Sequence, residues 1–357
     1  MTPSDLLVSP AESLLGSVLG NGWRVVGKYE RDPGSTGGNF CVGYRVEHPD
    51  GRQGFCKALD YFWALRSAKD PAVVLEAMTA SFNFERDILR KCEEFGMSRV
   101  IRILDSGTIR QEGSIFPVSY LIFEFAEFDI RKELDEVNDL EAALRLRTLH
   151  HVATGLKQLH ASKIAHQDLK PSNVLIVDSY AERRNCKLGD LGRATDAQVS
   201  APHDDLAIAG DRNYAPPEQL YNATPIDFGP RRFACDLYHL GSLTVFMFTS
   251  LPMNAHLAQH LHPSHIWTAW TGRYDEVMPY VQAAFGESMT AFREHCPPMI
   301  ADRLTTLVGY LCEPDPFRRG YPSQMRNAAN PYALERIVTE FDLLARRAGM
   351  RVRGKRV

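Results

Sequence analysis

Apolar residues recur at alternate positions in WRVVGKY (23–29), NFCVGYRVEH (39–48), RQGFCKALD (52–60), VIRILDSGTI (100–109) and VSYLIFEFA (118–126). That period of two predicts half-buried strands. HPDG (48–51) lies between the second and third runs, and Asp-Gly between alternating runs predicts a hairpin. After Asp70-Pro71 the pattern lengthens to that of a helix, which should stop at Gly96. SPAE (9–12) reads as a capping box that starts a short helix ending near Gly20-Asn21-Gly22, its leucines docked on the main body. Beyond residue 127 helical periodicity dominates, near 143–162, 234–250, 276–296, 301–312 and 331–348. One small hairpin interrupts it, NVLIVD followed by CKLGD.

A β-rich part with one long helix therefore precedes a mostly helical part, an α+β arrangement in two lobes. The division falls at Ala126–Asp129. This predicts an N-terminal extension over 1–22, a first lobe over 23–126, a second over 127–330, and a C-terminal helix with a basic tail over 331–357.

Charge and cysteine content narrow the class. Among 357 residues, 41 Lys and Arg face 44 Asp and Glu, for a net charge of −3. That near-neutral balance argues against a dedicated nucleic-acid binder. Seven cysteines at irregular spacing, with no CxxC, fit buried thiols in a reducing cytoplasm. The N-terminus lacks the basic start and long apolar core of a signal peptide. The most apolar run, Leu240–Met253, is too short to span a bilayer. The histidines of NAHLAQHLHPSH (254–265) have an i, i+4 pair but no acidic or cysteine ligand at metal-site spacing, so packing roles are favoured over zinc. The tail RVRGKRV (351–357) reads as a solvated end.

Chemistry concentrates in AHQDLKPSNVLIV (165–177) and LGDLGRAT (188–195). A turn at Lys170-Pro171 accounts for the proline and the strand after it. It gives no reason for a carboxylate, an ammonium and an amide so close together. The predicted hairpin places Asn173 beside Asp190 at one end. Two oxygen donors there suit Mg²⁺, which takes few protein ligands and completes its shell with phosphate and water. Lys170 would sit beside the anionic group, and Asp168 could orient the proton of an attacking hydroxyl. The set reads as phosphoryl transfer, which depends on positioning and charge neutralisation.

These segments resemble the protein kinase family. HQDLKPSNVL (166–175) is similar to its catalytic loop, DLG (190–192) to its D-F-G, and NYAPPE (213–218) to its A-P-E. FCKAL (55–59) resembles the V-A-I-K strand, FNFERDIL (82–89) the ion-pair helix, and IFEFAEFDIRKEL (122–134) the hinge. DLYHLGSL (236–243) and DPFRRG (315–320) resemble the buried Asp helix and the late Arg motif.

The resemblance implies a bilobal kinase-like fold and an ATP- and Mg²⁺-dependent serine/threonine protein kinase, with a nucleotide and a protein substrate as partners. Lys57 would hold the α- and β-phosphates with Glu85 as its ion-pair partner, preferred over Glu76 on the same helix. Asp168 would be the base or hydroxyl-orienting residue and Lys170 the γ-phosphate lysine; Asn173 and Asp190 would be the metal ligands. Phe123 would be the gatekeeper, the main chain of Glu124 and Ala126 would bind adenine, and Asp129 could reach the ribose. The glycine-rich loop is PGSTGGNFCVGY (33–44), with Gly37, Gly38 and Phe40 covering the phosphates and Cys41 in place of the third glycine. Glu218 and Arg319 would form a buried pair, and Asp236 would brace the catalytic loop.

Two rival functions use the same residues. A pseudokinase scaffold would ordinarily have lost one of Lys57, Glu85, Asp168, Asn173 or Asp190, and all five are present. A kinase-like small-molecule phosphotransferase would share Asp168, Asn173 and Asp190, but Lys170, the PPE segment and Arg319 favour a protein substrate.

Some residues depart from the family pattern. Leu191 replaces Phe in D-F-G and keeps its apolar role. Gln167 stands where many kinases have the arginine that grips a phosphate on the activation segment. Between Asp190 and Glu218 the hydroxyls are Thr195, Ser200 and Tyr214, while Asp204, Asp205 and Asp211 occupy the stretch where activating phosphates usually fall. The expectation is a chain short of both phosphate site and cationic receptor, with its segment ordered without phosphorylation. A fixed Asp211 carboxylate near Lys170 would be part of that order.

Overall fold

The computed structural model describes residues 9–30, 41–62, 70–112, 114, 116–137, 140–178 and 184–354, the last four by main chain alone. The chain divides into two compact units, residues 1–96 with 101–127, and 97–100 with 128–357.

The first unit is built on five strands, β1 (Arg24–Lys28), β2 (Cys41–Glu47), β3 (Gln53–Leu59), β4 (Ile103–Ile109) and β5 (Val118–Glu124), in the order β1-β2-β3-β5-β4. All four pairings are antiparallel. The Asp-Gly hairpin forms, with Glu47 opposite Gln53 and Gly51 at φ 92. One face of the sheet packs Tyr44, Val46, Cys56, Ala58 and Ile122 against Ala11, Leu14, Leu19 and Trp23. Across the other, Leu59 and Met78 pack with Cys41, Tyr61, Val74, Leu75 and Phe82. Met78 and Phe82 belong to α1 (Pro71–Glu94), whose N-cap Asp70 accepts hydrogen bonds from Ala72 and Val73 N–H. Gly96, at φ 62, follows its end; only glycine takes that conformation without strain.

The N-terminal segment departs from the expected helix. Ser9 caps only a 3-10 turn, Pro10–Ser13. Gly16, at φ 83, then bends the chain so that its N–H donates to Val25 O, and Val25 N–H donates to Ser17 O. Pairing with β1 has displaced continued helix, and Glu12 pairs with Lys28.

The second unit contains β6 (Phe128–Asp129), α2 (Ile130–Glu136), α3 (Ala142–Ala161), β7 (Ile164–Ala165), β8 (Val174–Asp178), β9 (Asn185–Leu188) and β10 (Thr195–Asp196). Helices follow: α4 (Pro217–Leu220), α5 (Ala234–Thr249), α6 (Met253–His260), α7 (Tyr274–His295), α8 (Ala301–Leu311), α9 (Pro322–Met325) and α10 (Glu335–Gly354). Helix α5 is buried from Ala234 to Val245 and forms the centre of this unit. Helix α10 packs along α3, where His150 Nδ1 lies 3.2 Å from Val338 O. Strands β6, β8 and β9 form one small sheet, and β7 with β10 another. A sheet unit followed by a helical unit is the α+β class the periodicity predicts.

Candidate active site

In the first unit, Lys57 sits on β3 with Gly43 and Leu121 as its cross-strand partners. Alternation turns Cys56 and Ala58 into the core and leaves Lys57 on the opposite face. Its Nζ lies 2.9 Å from both carboxylate oxygens of Glu85 on α1. Glu85 is 5% exposed, so the pair is largely desolvated. Phe123 on β5 is buried opposite Phe55, with ring centroids 6.4 Å apart. The Glu124 N–H donates to Arg102 O at 3.0 Å, and its carboxylate accepts Arg102 N–H at 2.8 Å. Ala126 is half-buried just beyond β5. Gly37, Gly38 and Phe40 lie outside the described residues.

The second unit assembles the remaining candidates. Asp168 is 7% exposed. Its Oδ1 accepts the Asp211 N–H at 2.7 Å, and its Oδ2 accepts Asn173 Nδ2 at 3.1 Å. Lys170 Nζ stands 3.1 Å from Asp168 Oδ2 and 3.7 Å from Asp211 Oδ2. Burial pushes the Asp168 carboxyl above its ordinary range; the Lys170 charge opposes the rise and the Asp190 charge adds to it. Asn173 Nδ2 also donates to Asp168 O at 2.7 Å. Both amide hydrogens are thus committed to Asp168, and Oδ1 is the end left for a cation. The β8–β9 hairpin pairs Val174 with Leu188, and Gly189 N–H donates to Asn173 O at 2.9 Å. Asp190 comes next, at φ 54. Asp129 caps α2, accepting Lys132 N–H at 3.0 Å.

The loop that carries Asp168 is held by residues of the helical core. Asp236, fully buried in the first turn of α5, accepts the His166 and Gln167 N–H groups at 2.8 Å each. Gln167 is left-handed, at φ 64, which costs a non-glycine residue about 1–2 kcal/mol. Two hydrogen bonds to a carboxylate, at about 1.5–3 kcal/mol each, offset it. Burial alone would raise the Asp236 pKa, but the hydrogen bond and charge of His160, 2.9 Å away, bring it below the ordinary value. Arg319 is fully buried and meets Glu218 through two parallel 2.8 Å bonds.

Several contributors escape sequence reasoning. A Cβ on Gly210 would lie 2.3 Å from Gln167 O, so only glycine permits this approach of the segment. A second buried pair joins Arg184 to Glu133, with Nη1 to Oε1 at 2.7 Å. A cation faces the segment from an unexpected element: Arg232, just before α5, is 3% exposed and reaches both Gln167 Oε1 and Asp204. Of the segment hydroxyls, Thr195 and Tyr214 are buried and Ser200 is exposed. The histidines of 254–265 have separate partners. His256 meets Thr249 Oγ1 at 3.0 Å, His260 meets Glu287 at 3.1 Å, and His265 stacks on Tyr280. Among the described residues no helix is long and apolar enough to cross a membrane.

Known proteins resemble this chain over part of its length. The family profile described as "Protein kinase domain" matches residues 61–330, a span that begins beyond Lys57. Extracellular signal-regulated kinase 7 of Drosophila melanogaster is 28% identical over 188 residues, covering 51% of this chain and 20% of its own length. The probable cyclin-dependent kinase 8 of Dictyostelium discoideum is 28% identical over 141 residues, 38% of this chain and 35% of its own length. A probable serine/threonine-protein kinase of Clostridium perfringens is 26% identical over 243 residues, 68% of this chain and 31% of its own length. The matched regions thus span only a fifth to about a third of these relatives.

Proposed function

The chain belongs to the protein kinase domain family, and from that premise we propose that it transfers the γ-phosphate of ATP to serine or threonine hydroxyls of protein substrates. The observation that carries the reading is the Asp168 cluster. A buried carboxylate lies 3.1 Å from an ammonium, with its Oδ1 fixed by the Asp211 N–H and its Oδ2 by the Asn173 amide. Such a carboxylate can accept or orient the hydroxyl proton of a substrate while Lys170 faces the charge that moves.

In this reading Lys57, held by Glu85, binds the α- and β-phosphates. Phe123 backs the adenine pocket, and the main chain of Glu124 and Ala126 holds the base. Asp129 would reach the ribose, and Gly37, Gly38 and Phe40 would cover the phosphates. The donors Asn173 and Asp190 suit a small hard cation: one carboxylate and one amide oxygen whose nitrogen is committed elsewhere. Mg²⁺ bound there would neutralise phosphate charge. A cytoplasmic setting is consistent with six of seven cysteines being buried.

The reading includes activity without phosphate on the segment. Ser200 is the exposed hydroxyl there, and Asp211 already approaches Lys170 at 3.7 Å. The decisive experiment incubates purified protein with labelled Mg-ATP and either a generic protein or a panel of small alcohols. Label in protein seryl or threonyl residues is expected, with Asp168→Asn abolishing most turnover while retaining ATP binding. Transfer only to small alcohols, or unchanged turnover in Asp168→Asn, rejects the assignment. Ser200→Ala, with the segment verified as unmodified by mass spectrometry, should keep its rate within about tenfold, or about 1.4 kcal/mol in the barrier.

A further inference from the structure

Gln167 immediately precedes Asp168 and is left-handed, so whatever fixes Gln167 fixes the direction from which Asp168 enters the site. Two residues four apart hold it. Asp236 takes the Gln167 N–H and accepts Gln167 Nε2 at 3.2 Å. Arg232 takes the rest of the amide: its Nη1 donates to Gln167 Oε1 at 3.3 Å, and its own O accepts Gln167 Nε2 at 2.9 Å.

The same guanidinium continues outward to the segment between Asp190 and Glu218. Arg232 Nη2 donates to Asp204 O at 2.8 Å and to Asp204 Oδ1 at 3.2 Å. Arg231 Nη2 adds bonds to Asp204 O at 2.6 Å and Leu206 O at 3.4 Å. The other Asp204 oxygen accepts the Ala201 N–H at 2.7 Å, which turns the carboxylate toward the arginine.

We propose that Asp204 and Arg232 are positioning residues, a built-in carboxylate–guanidinium clamp that ties the segment to the catalytic loop and sets Asp168 through Gln167. The physical reason is charge. Arg232 is buried at 3% exposure, and a buried cation requires an anion in direct contact. Asp236 is engaged by His160, His166 and Gln167. Asp204 is the carboxylate that bonds the guanidinium itself. A carboxylate accepts from the forked guanidinium donors as a phosphate does, so the segment is held with no added group. Its far end is held separately by the Asp211 N–H on Asp168 Oδ1. Asp204 and Asp211 thus anchor the stretch between them to one loop. A cavity of about 310 Å³ beside the clamp, lined by Arg231, Arg232, Asp204 and Ser200, leaves room for a small anion should Asp204 be shortened.

This inference rests on the phosphotransfer reading, and its test keeps the two apart. Asp204→Asn, Asp204→Glu and Asp204→Ala are compared with the wild-type chain by steady-state kinetics and by amide hydrogen exchange over residues 205–212. Asp204→Asn should lower kcat at least tenfold, leave KM for ATP within twofold, and raise exchange in 205–212 above that of α5. Asp204→Glu should recover most of the loss. Inorganic phosphate, with sodium sulfate at equal ionic strength as the comparison, should restore part of the Asp204→Ala rate. A salt bridge serving stability alone would lower the melting temperature and raise exchange throughout the unit, with kcat of the folded protein unchanged; that result overturns the proposal. Unchanged exchange in 205–212 overturns it as well, whatever kcat does. Should the wild-type chain transfer no phosphate, the proposed function fails, and the exchange measurement still decides the clamp.

Discussion

Gly210→Ala adds one carbon where the segment after Asp190 comes closest to the loop carrying Asp168. That carbon would lie 2.3 Å from Gln167 O, 2.7 Å from Asp168 Oδ1 and 3.0 Å from Asp168 Cα. Carbon–oxygen contacts are comfortable from about 3.3 Å, so the gap must open by roughly 1 Å. Gln167 cannot supply the movement, because its N–H and side chain are bound to Asp236 and Arg232. The segment has to retreat, and the first bond lost is the 2.7 Å donation from Asp211 N–H to Asp168 Oδ1. A hydrogen bond to a charged acceptor is worth about 1.5–3 kcal/mol, and overpacking a filled site costs about 1–3 kcal/mol. Partial relaxation brings the expected loss of stability to roughly 2–4 kcal/mol. An Asp168 free to rotate should cost at least about 1.4 kcal/mol of orientation, a tenfold fall in kcat. Urea denaturation reads the first quantity and initial rates of phosphate transfer read the second. Gly309→Ala in α8 is the control. Its Cβ meets nothing within 4 Å, and it should gain about 0.5–1 kcal/mol with unchanged rate. A Gly210→Ala protein with wild-type midpoint and kcat would refute the argument, since a 2.3 Å contact cannot persist without a shift of the main chain.

Three further outcomes follow from the same geometry. Lys57→Met should reduce transfer at least a hundredfold and destabilise by about 1–3 kcal/mol, because Glu85 keeps its buried position without the 2.9 Å ammonium; a fully active variant would mean that another lysine meets the phosphates. Lys170→Met should move the acid limb of the normalised kcat–pH profile upward. Asp168 must be ionised to accept a proton, burial already holds its pKa above the ordinary value of 3.8, and the Lys170 charge is what opposes that rise; a limb that stays put or moves down contradicts the assignment of Asp168 as base. Arg319→Gln should cost about 3–5 kcal/mol in urea unfolding by leaving Glu218 buried without its partner, and a loss below about 1 kcal/mol would show that the site resolvates.

What could be read from the sequence and what could not divides by the distance along the chain over which each interaction acts. The strand containing Lys57 follows from alternation between Cys56 and Ala58, and α1 from Asp70 at its start and Gly96 at its end; each is settled within a few residues. The short helices α2 and α6 carry too few turns for periodicity to separate them from loop. At the N-terminus a sound local signal lost to tertiary pairing, since Ser9 caps as its type predicts while Gly16 and Ser17 bond Val25. The site itself divides the same way. Asp168, Lys170 and Asn173 lie within one turn-and-strand motif and are legible from spacing alone. The Glu133–Arg184 pair spans 51 positions, the Asp211 donation to Asp168 spans 43, and Asp204 to Arg232 spans 28. No periodic pattern connects residues so far apart, and each depends on how the segment after Asp190 folds back. Gln167 shows the consequence. Read alone, a neutral residue in that place implies that no cation faces the segment. In three dimensions its amide holds the cation in place, because Gln167 Oε1 accepts from a guanidinium that the turn before α5 brings up from residue 232. Charge lost at one position of a loop can thus be returned from a neighbouring helix, and only the folded chain discloses it.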